Sequence, residues 1–517
     1  MSITIVRSNR IFSDINDSFD SFVIEGKYII DTGSFDHFLI KYKHAQILDL
    51  RESLILPGFN DHHIHIWKVG NLTTMMLDLR GVSSKDEMLK KIEHFSIKNR
   101  NTSWVLARGF NEINFNDKEL PTAKDLDGLG INRPIFVIRS CAHIGIASTL
   151  AMKLANIDKT TVVPDGGEMR FDKNGNPNGV FCETALGLVQ RHLPPYSKEE
   201  YKTMILAAQE LLLYEGITSA TDPAVHAELL EVYREMEQKG ELKIRINAIA
   251  IRLPDGAKKA QGLPQKYNSE KLCIDTVKFF ADGGLSGKTA AVSFPYKDSD
   301  THGILRLNFE QFYALAKESI DAGLRIATHA IGDRAIELTL DVYEAIQSKP
   351  FNHRIEHLGF ISSKNLSRMK NLGTVAVMQP IFVRELGANF INALSPDKLA
   401  EVYPIKTVLQ NDIPVYFSTD APVVKEINPW INIFSAMGRK TTGNQVIGEN
   451  EKIGFRESIL AYTHDLEYGD KNFKKGKIEK GFLADFIVYS GKTLEEVVQH
   501  GKAIRPDAVF VGGEKVI

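Results

Sequence analysis

The run PGFNDHHIH at residues 57–65 follows a short apolar segment, Ser53–Leu56, and ends in a His-x-His pair. Alternate side chains of a strand point to the same side, so we expect Asp61, His63 and His65 to share one face. Neutral imidazole is the commonest metal ligand in proteins. The run therefore predicts half of a cation site at the end of a strand. The alternative is that the paired histidines cap a strand or lie on a surface.

The composition of the chain is that of a globular protein with several domains. It has 517 residues, of which 43% are hydrophobic and 25% charged, so a large core can form. At about 150 residues per domain, roughly two to four domains are expected. The net charge of −2 is not concentrated in any basic block. This argues against a nucleic-acid partner or an anionic membrane, both of which need clustered Lys and Arg.

The three cysteines, Cys141, Cys182 and Cys273, are far apart and form no Cys-x-x-Cys motif. Their odd number and spacing argue against a disulfide framework and favour a reducing compartment. The first residues lack the apolar core and cleavage site of a signal peptide. No stretch approaches the ~18 apolar residues that a membrane-spanning helix needs. A cytoplasmic location without membrane association is the expectation.

Four helix-like segments in the middle of the chain each end at a glycine, which is followed at once by a strand-like apolar run. The glycines are Gly216, Gly240, Gly323 and Gly373. A glycine just past a helix end, with a short link into a strand, is typical of parallel α/β proteins. About eight strands are expected, starting at residues 55, 217, 244, 276, 324, 353, 374 and 415. Eight such units favour a closed TIM-like (β/α)8 barrel.

The two ends of the chain are rich in short strands and lack long helices. We therefore expect a composite β-sandwich domain from residues 1–56 and 455–517, and a catalytic barrel over residues 57–454. The gap between the first two barrel strands is too long for one crossover. An inserted lid region is predicted there, at about residues 72–204.

Polar side chains that can bind metal recur at the predicted strand ends, where barrel enzymes carry their functional residues. Lys278 lies within the fourth strand, and His329, His357 and Asp420 end the fifth, sixth and eighth. Each has an ordinary alternative: a hydrogen-bonded histidine, a helix-capping aspartate, or a lysine on a solvent face or paired with Asp282. His62 is expected on the face opposite to His63, and His353 in the core.

This order of residues resembles the amidohydrolase superfamily, and specifically amidohydrolase family 3, in the branch that contains N-substituted formamide deformylase. The similarity covers nearly the whole chain. It rests on six further motifs: KFFADG at 278–283, THAIGDRA at 328–335, RIEH at 354–357, STDAP at 418–422, NPW at 428–430 and GFLADFIV at 481–488.

The resemblance implies a divalent metal, with zinc favoured and one or two ions per chain. Asp420 would lie beside the more buried ion, and Lys278 would bridge two ions as a carbamate formed with CO2. The histidine ligands would be His63 and His65 at one ion, and His329 and His357 at the other. The set of imidazole and carboxylate-type oxygen ligands suits zinc, with Mn, Co, Ni and Fe left open.

The implied activity is hydrolysis of an amide-type C–N bond, such as that of an N-acyl or N-formyl amine. Metal-activated hydroxide would attack, with Asp420 as general acid and base. The alternatives are a metal-dependent deaminase of a heterocycle and a non-catalytic relative. The partner would be a small-molecule substrate, and assembly into a homo-oligomer is left open. Four further positions are candidates for substrate binding: His143, Tyr296, Gln379 and Arg439.

Overall fold

A computed structural model describes residues 3–12, 19–100, 102–112, 115–140, 144–164, 167–254, 257, 259–347, 352–464, 473–500 and 503–517. The chain divides into two compact units, one of Trp67–Ala207 and one of Met1–Ile66 with Ala208–Ile517. Among the described residues, none of the helices combines the length and apolar character needed to cross a membrane.

The larger unit contains a nearly closed barrel of eight parallel strands, which confirms the predicted fold. Seven of the eight neighbouring strand pairs form parallel ladders. We number the barrel strands β1 Phe59–Asp61, β2 Ile217–Val225, β3 Arg245–Ile251, β4 Thr276–Phe280, β5 Arg325–Ala330, β6 Arg354–His357, β7 Val375–Met378 and β8 Val415–Phe417. The strands are almost entirely buried, as is typical of a parallel sheet covered by helices.

The eighth junction, between β8 and β1, is closed by backbone hydrogen bonds that lie just beyond the strands. The His62 N–H donates to the carbonyl of Phe417 at 3.2 Å, and the Asp420 N–H donates to the carbonyl of His63 at 2.7 Å. The His65 N–H likewise donates to the carbonyl of Ala421 at 2.9 Å. The barrel therefore closes through the segments that carry the predicted ligands.

The prediction that the first barrel strand starts at residue 55 is wrong. Leu54–Pro57 pairs antiparallel with Phe486–Tyr489 in a terminal sheet, and β1 begins two residues later, at Phe59. Gly58 is the junction between the two sheets. A Cβ at this position would lie 2.1 Å from the Thr218 hydroxyl oxygen, so only glycine allows β1 to approach β2 there.

The predicted helix–glycine–strand junctions are confirmed. Gly216, Gly240, Gly323 and Gly373 all have positive φ, between 66° and 81°, which is the left-handed conformation expected after a helix C-terminus. The helix Lys198–Tyr214 precedes β2. The α-helices between later strands and after β8 are Ala227–Gln238, Phe309–Asp321, Asp333–Ala345, Ser363–Leu372, Ile381–Glu385, Gly387–Ala393, Pro396–Glu401, Ile405–Gln410, Pro429–Gly438, Phe455–Thr463 and Leu494–His500.

Two terminal sheets also belong to the larger unit. One has the strand order Tyr28–Gly33, Ser21–Glu25, Ile3–Arg7 and Gln46–Asp49, and the helix Phe35–Lys41 packs on it. The other combines strands from both ends of the chain: Arg10–Ile11, Leu54–Pro57, Phe486–Tyr489, Ala508–Val511 and Glu514–Lys515. One apolar cluster joins the two sheets, with the Phe22 and Phe486 rings in edge-to-face contact at 5.3 Å.

The smaller unit has its own six-stranded sheet and two apolar clusters. Its helices include Lys85–Lys98, Ala123–Asp127, Thr149–Leu154 and Gly187–Gln190, together with all but the first residue of the helix Ile66–Thr74. The order of its strands is Gly167–Phe171, Pro177–Glu183, Ile144–Ala147, Ile135–Arg139, Val105–Phe110 and Met76–Asp78. Its extent overlaps the predicted insertion at 72–204, whose function as a lid stays a prediction.

Candidate metal centre

Asp61 shapes the turn that carries the two histidines of the His-x-His pair. Because β1 ends at Asp61, His63 and His65 are brought together by a turn, and not by strand alternation as expected. The Asp61 carboxylate accepts hydrogen bonds from the His63 N–H at 3.1 Å and from the Thr419 N–H and hydroxyl at 3.1 and 2.7 Å. Burial raises the pKa of Asp61 to about 7. Its carboxylate thus ties the turn to the end of β8.

His63, His65 and Asp420 converge on one point. Each can offer a ligand atom within 4.8 Å of the other two. The Asp420 Oδ1 atom lies 3.4 Å from the Nε2 atoms of both histidines. Asp420 has a positive φ of 58°, in the left-handed region that non-glycine residues rarely adopt. Two imidazoles and a carboxylate around one point are a suitable donor set for a divalent cation.

Two further imidazoles lie beside this group. The His357 ring centroid is 5.0 Å from that of His63 and 4.5 Å from that of His329. His357 also has a positive φ of 76°. The structure thus brings together histidines from the ends of β1, β5 and β6.

The hydrogen bonds of three imidazoles identify the ring nitrogen that can bind a metal. The His63 Nδ1 atom lies 2.5 Å from a Glu356 carboxylate oxygen, and the His329 Nε2 atom lies 3.1 Å from the Gly283 carbonyl oxygen. The His357 Nδ1 atom lies 2.8 Å from Gln379 Oε1. Because these oxygens only accept, each of these nitrogens carries the proton. The opposite nitrogen of each ring is then free of a proton, as metal binding requires.

Burial also favours the neutral imidazole at these positions. It lowers the pKa of His329 to about 3 and the pKa of His357 well below its ordinary value, and charged neighbours such as Lys278 act in the same direction on both. Burial lowers the pKa of His63 as well. Since a neutral ring is the form that binds a metal, the histidines fit a metal site.

Lys278 lies in β4 and is only 1% exposed. Among the described residues, its Nζ atom has no hydrogen-bonding partner. Burial lowers the pKa of Lys278 to about 8. The alternative partner, Asp282, instead accepts hydrogen bonds from three backbone N–H groups, at 2.8–3.0 Å. A buried lysine nitrogen normally has a hydrogen-bonding partner. Conversion of Lys278 to a carbamate that bridges metal ions would meet this requirement.

The sequence reasoning assigned no part in the site to Arg354 and Glu356, which form a buried ion pair beside His63. Arg354 Nε donates to Glu356 Oε1 at 2.7 Å, and both side chains are buried. Burial alone would raise the pKa of Glu356, but the Arg354 charge outweighs it and keeps that pKa well below its ordinary value. A usable signal was present. Two residues of opposite charge that are two positions apart in a buried strand lie on the same face. Because burying a charge is costly, such residues are expected to pair with each other or with another polar group.

The remaining histidines and the candidates for substrate binding are not among the proposed metal ligands. His62 stacks on Tyr416 with ring centroids 4.6 Å apart, and the His353 Nδ1 atom accepts the Ile326 N–H at 3.1 Å. The Tyr296 hydroxyl donates to the Ala290 carbonyl, and Arg439 donates to the carbonyls of Val402, Tyr403 and Ile447. His143 lies outside the described residues. The roles of His143, Tyr296, Gln379 and Arg439 in substrate binding stay predictions.

The chain is similar in sequence and fold to several known proteins. YtcJ of Bacillus subtilis (strain 168), named as an amidohydrolase, is 28% identical over 490 residues, covering 92% of this chain and 91% of that protein. N-substituted formamide deformylase of Arthrobacter pascens is 24% identical over 463 residues, covering 86% and 84%. A crystal structure of a metal-dependent hydrolase from Pyrococcus horikoshii OT3 superposes with a TM-score of 0.79 at 25% identity, covering 95% of this chain and 97% of the other. The sequence profile of the amidohydrolase family matches residues 46–517, and the chain belongs to that family.

Proposed function

We propose that the protein is a metal-dependent hydrolase that cleaves an amide-type C–N bond of a small molecule. The observation that carries the proposal is the convergence of His63, His65 and Asp420 within 4.8 Å of one another at the end of the barrel. The catalytic sites of such barrels lie at the carboxyl ends of the barrel strands. The name of the Arthrobacter pascens relative supports an N-formyl or N-acyl amine as the substrate class.

The residues that would hold the metal follow from the donor set. His63, His65 and Asp420 would hold one divalent ion, and His329 and His357 a second, with Lys278 between them as a carbamate. Imidazole nitrogens together with carboxylate-type oxygens favour zinc. A bound ion of this kind lowers the pKa of water towards neutrality and polarises a substrate carbonyl.

Asp420 is the proposed general base and general acid. Its Oδ1 atom lies 3.4 Å from two ligand nitrogens, so the same carboxylate would lie beside the attacking water. Asp420 accepts a proton from that water as the new C–O bond forms. It then donates the proton to the nitrogen as the C–N bond breaks, so that an acid and an amine leave.

Metal content and a substrate screen test the proposal together. We expect protein purified from metal-replete cells to contain one or two equivalents of a divalent metal by atomic emission. That protein should hydrolyse N-acyl or N-formyl amines in a panel that also includes dipeptides, lactones and aminoheterocycles. Release of ammonia from an aminoheterocycle alone would favour the deaminase alternative. Protein that takes up no metal would contradict the proposed function.

The proposed carbamate on Lys278 has a direct spectroscopic test. A neutral amine is the form that reacts with CO2, and burial of Lys278 lowers its pKa to about 8, so much of it is neutral at mildly alkaline pH. Protein reconstituted with metal and 13C-bicarbonate is expected to show a protein-bound carbamate carbon signal by NMR. The Lys278→Ala variant serves as the control and should lack the signal. An identical signal in both proteins would rule out Lys278 as its source.

A further inference from the structure

Arg354 and Glu356 form a buried ion pair that is absent from the proposed ligand set. Arg354 Nε donates to Glu356 Oε1 at 2.7 Å, and Arg354 Nη2 donates to Glu356 Oε2 at 3.2 Å. The side chains are 2% and 0% exposed. A pair of this kind is weak evidence for stability alone, because well-packed apolar residues often replace it without loss.

The pair contacts His63, the first histidine of the His-x-His pair, and His62, the residue before it. Glu356 Oε2 lies 2.5 Å from His63 Nδ1, and Arg354 Nη2 donates to the His62 carbonyl at 2.6 Å. One contact fixes the ring of His63 and the other fixes the backbone immediately before it. Both contacts come from β6, which also carries His357.

We propose that Glu356 is a positioning residue for the metal site, which fixes the tautomer and orientation of His63, and that Arg354 holds Glu356 in place. The His63 ring has Glu356 at Nδ1 and Asp420 at Nε2, at 2.5 and 3.4 Å. A carboxylate on the far nitrogen of a histidine ligand keeps the proton there and makes the near nitrogen more basic. The inference rests on the proposed metal site and adds a named determinant of its affinity.

The Glu356→Gln variant tests the inference through metal affinity. A neutral amide is a weaker acceptor for the His63 Nδ1–H than a carboxylate, so the His63 Nε2 atom becomes a poorer ligand. Competition with a chelator should show metal binding weakened roughly 10–100-fold. Absorption bands of the Co(II)-loaded protein should also shift, because the ligand field at His63 changes.

The single variant leaves Arg354 buried without its carboxylate and could fail to fold. The double variant Arg354→Leu with Glu356→Gln removes both charges, so the uncompensated buried charge is absent. We expect the double variant to recover a thermal midpoint near that of the wild type while its metal affinity stays low. Recovery of full affinity in the double variant would overturn the inference, because the pair would then be structural only.

A second buried ion pair in the same unit provides the matched control. Arg245 contacts Asp485 at 2.6 and 2.8 Å, and the structure shows no contact between this pair and the five histidine and aspartate ligands among the described residues. Asp485→Asn should lower the thermal midpoint but leave metal affinity unchanged.

Wild-type affinity in Glu356→Gln would overturn the inference. Absence of metal binding by the wild type would instead contradict the proposed function.

Discussion

Replacement of Asp420 by Asn is expected to lower turnover about 10²–10⁴-fold, the usual contribution of a general acid and base. An amide has nearly the shape of the carboxylate but cannot accept the proton of water or return it to the leaving amine. His63 and His65 remain in place, as do the backbone hydrogen bonds of Asp420, so metal should stay bound. Turnover is measured on protein whose metal content equals that of the wild type.

The control for this experiment is Asp321→Asn, the same chemical change at an exposed helix position, where Asp321 pairs with Lys317. This variant should keep wild-type turnover. Near-normal turnover in metal-loaded Asp420→Asn would refute the assignment of Asp420. Loss of metal together with activity would show that Asp420 acts chiefly as a ligand.

Replacement of Asp485 by Asn is expected to lower the free energy of unfolding by about 1.5–3 kcal/mol, the usual contribution of a hydrogen bond between charged groups. The loss is not larger because Glu270, 2.9 Å from Arg245, still pairs with the guanidinium. Asp485 precedes the terminal strand Phe486–Tyr489, and Arg245 starts β3. The two side chains are 3% exposed. The measurement is the thermal unfolding midpoint of wild type and variant under the same conditions.

The same pair predicts a dependence of stability on pH. Burial alone would raise the pKa of Asp485, but the Arg245 charge outweighs it, and the folded pKa lies below the ordinary value of 3.8. The stabilisation is therefore present above the unfolded pKa and is lost as pH falls through the folded pKa. Wild type should lose this advantage over the variant only below about pH 4. Asp412→Asn, at an exposed pair with Lys370, should shift the midpoint much less, because exposed ion pairs contribute at most about 1 kcal/mol.

The barrel was predictable because its signals are local. Each glycine after a helix requires a left-handed backbone that other residues disfavour, and the four glycines therefore mark helix ends from sequence alone. The apolar run before Gly58 was ambiguous, because any buried strand has this composition. Its partner, Phe486–Tyr489, lies more than four hundred residues away, and no local pattern reveals that pairing.

The order of the proposed ligands along the chain could be predicted from the sequence, but their arrangement in space could not. Strand alternation places Glu356 and His357 on opposite faces, yet both approach His63 in the structure. The positive φ of His357 breaks the alternation at the end of β6. Histidine rarely adopts a positive φ, so this conformation is imposed by the surrounding packing and cannot be predicted from the residue type. For the same reason, the contact between Glu356 and His63 could not be predicted from the sequence.

At the junction between β8 and β1, the proposed cation site would couple metal binding to the integrity of the barrel. This is the one neighbouring strand pair without a ladder among the described barrel strands. It is closed by backbone hydrogen bonds such as Asp420 N–H to the His63 carbonyl, and by the hydrogen bonds of Thr419 to the Asp61 carboxylate. A cation held by His63, His65 and Asp420 would cross-link the first and last strands of the domain. By mass action, the free energy of unfolding would then increase by RT ln(1 + c/Kd), where c is the concentration of free metal, so the protein's resistance to unfolding would rise with that concentration, even after the site is full.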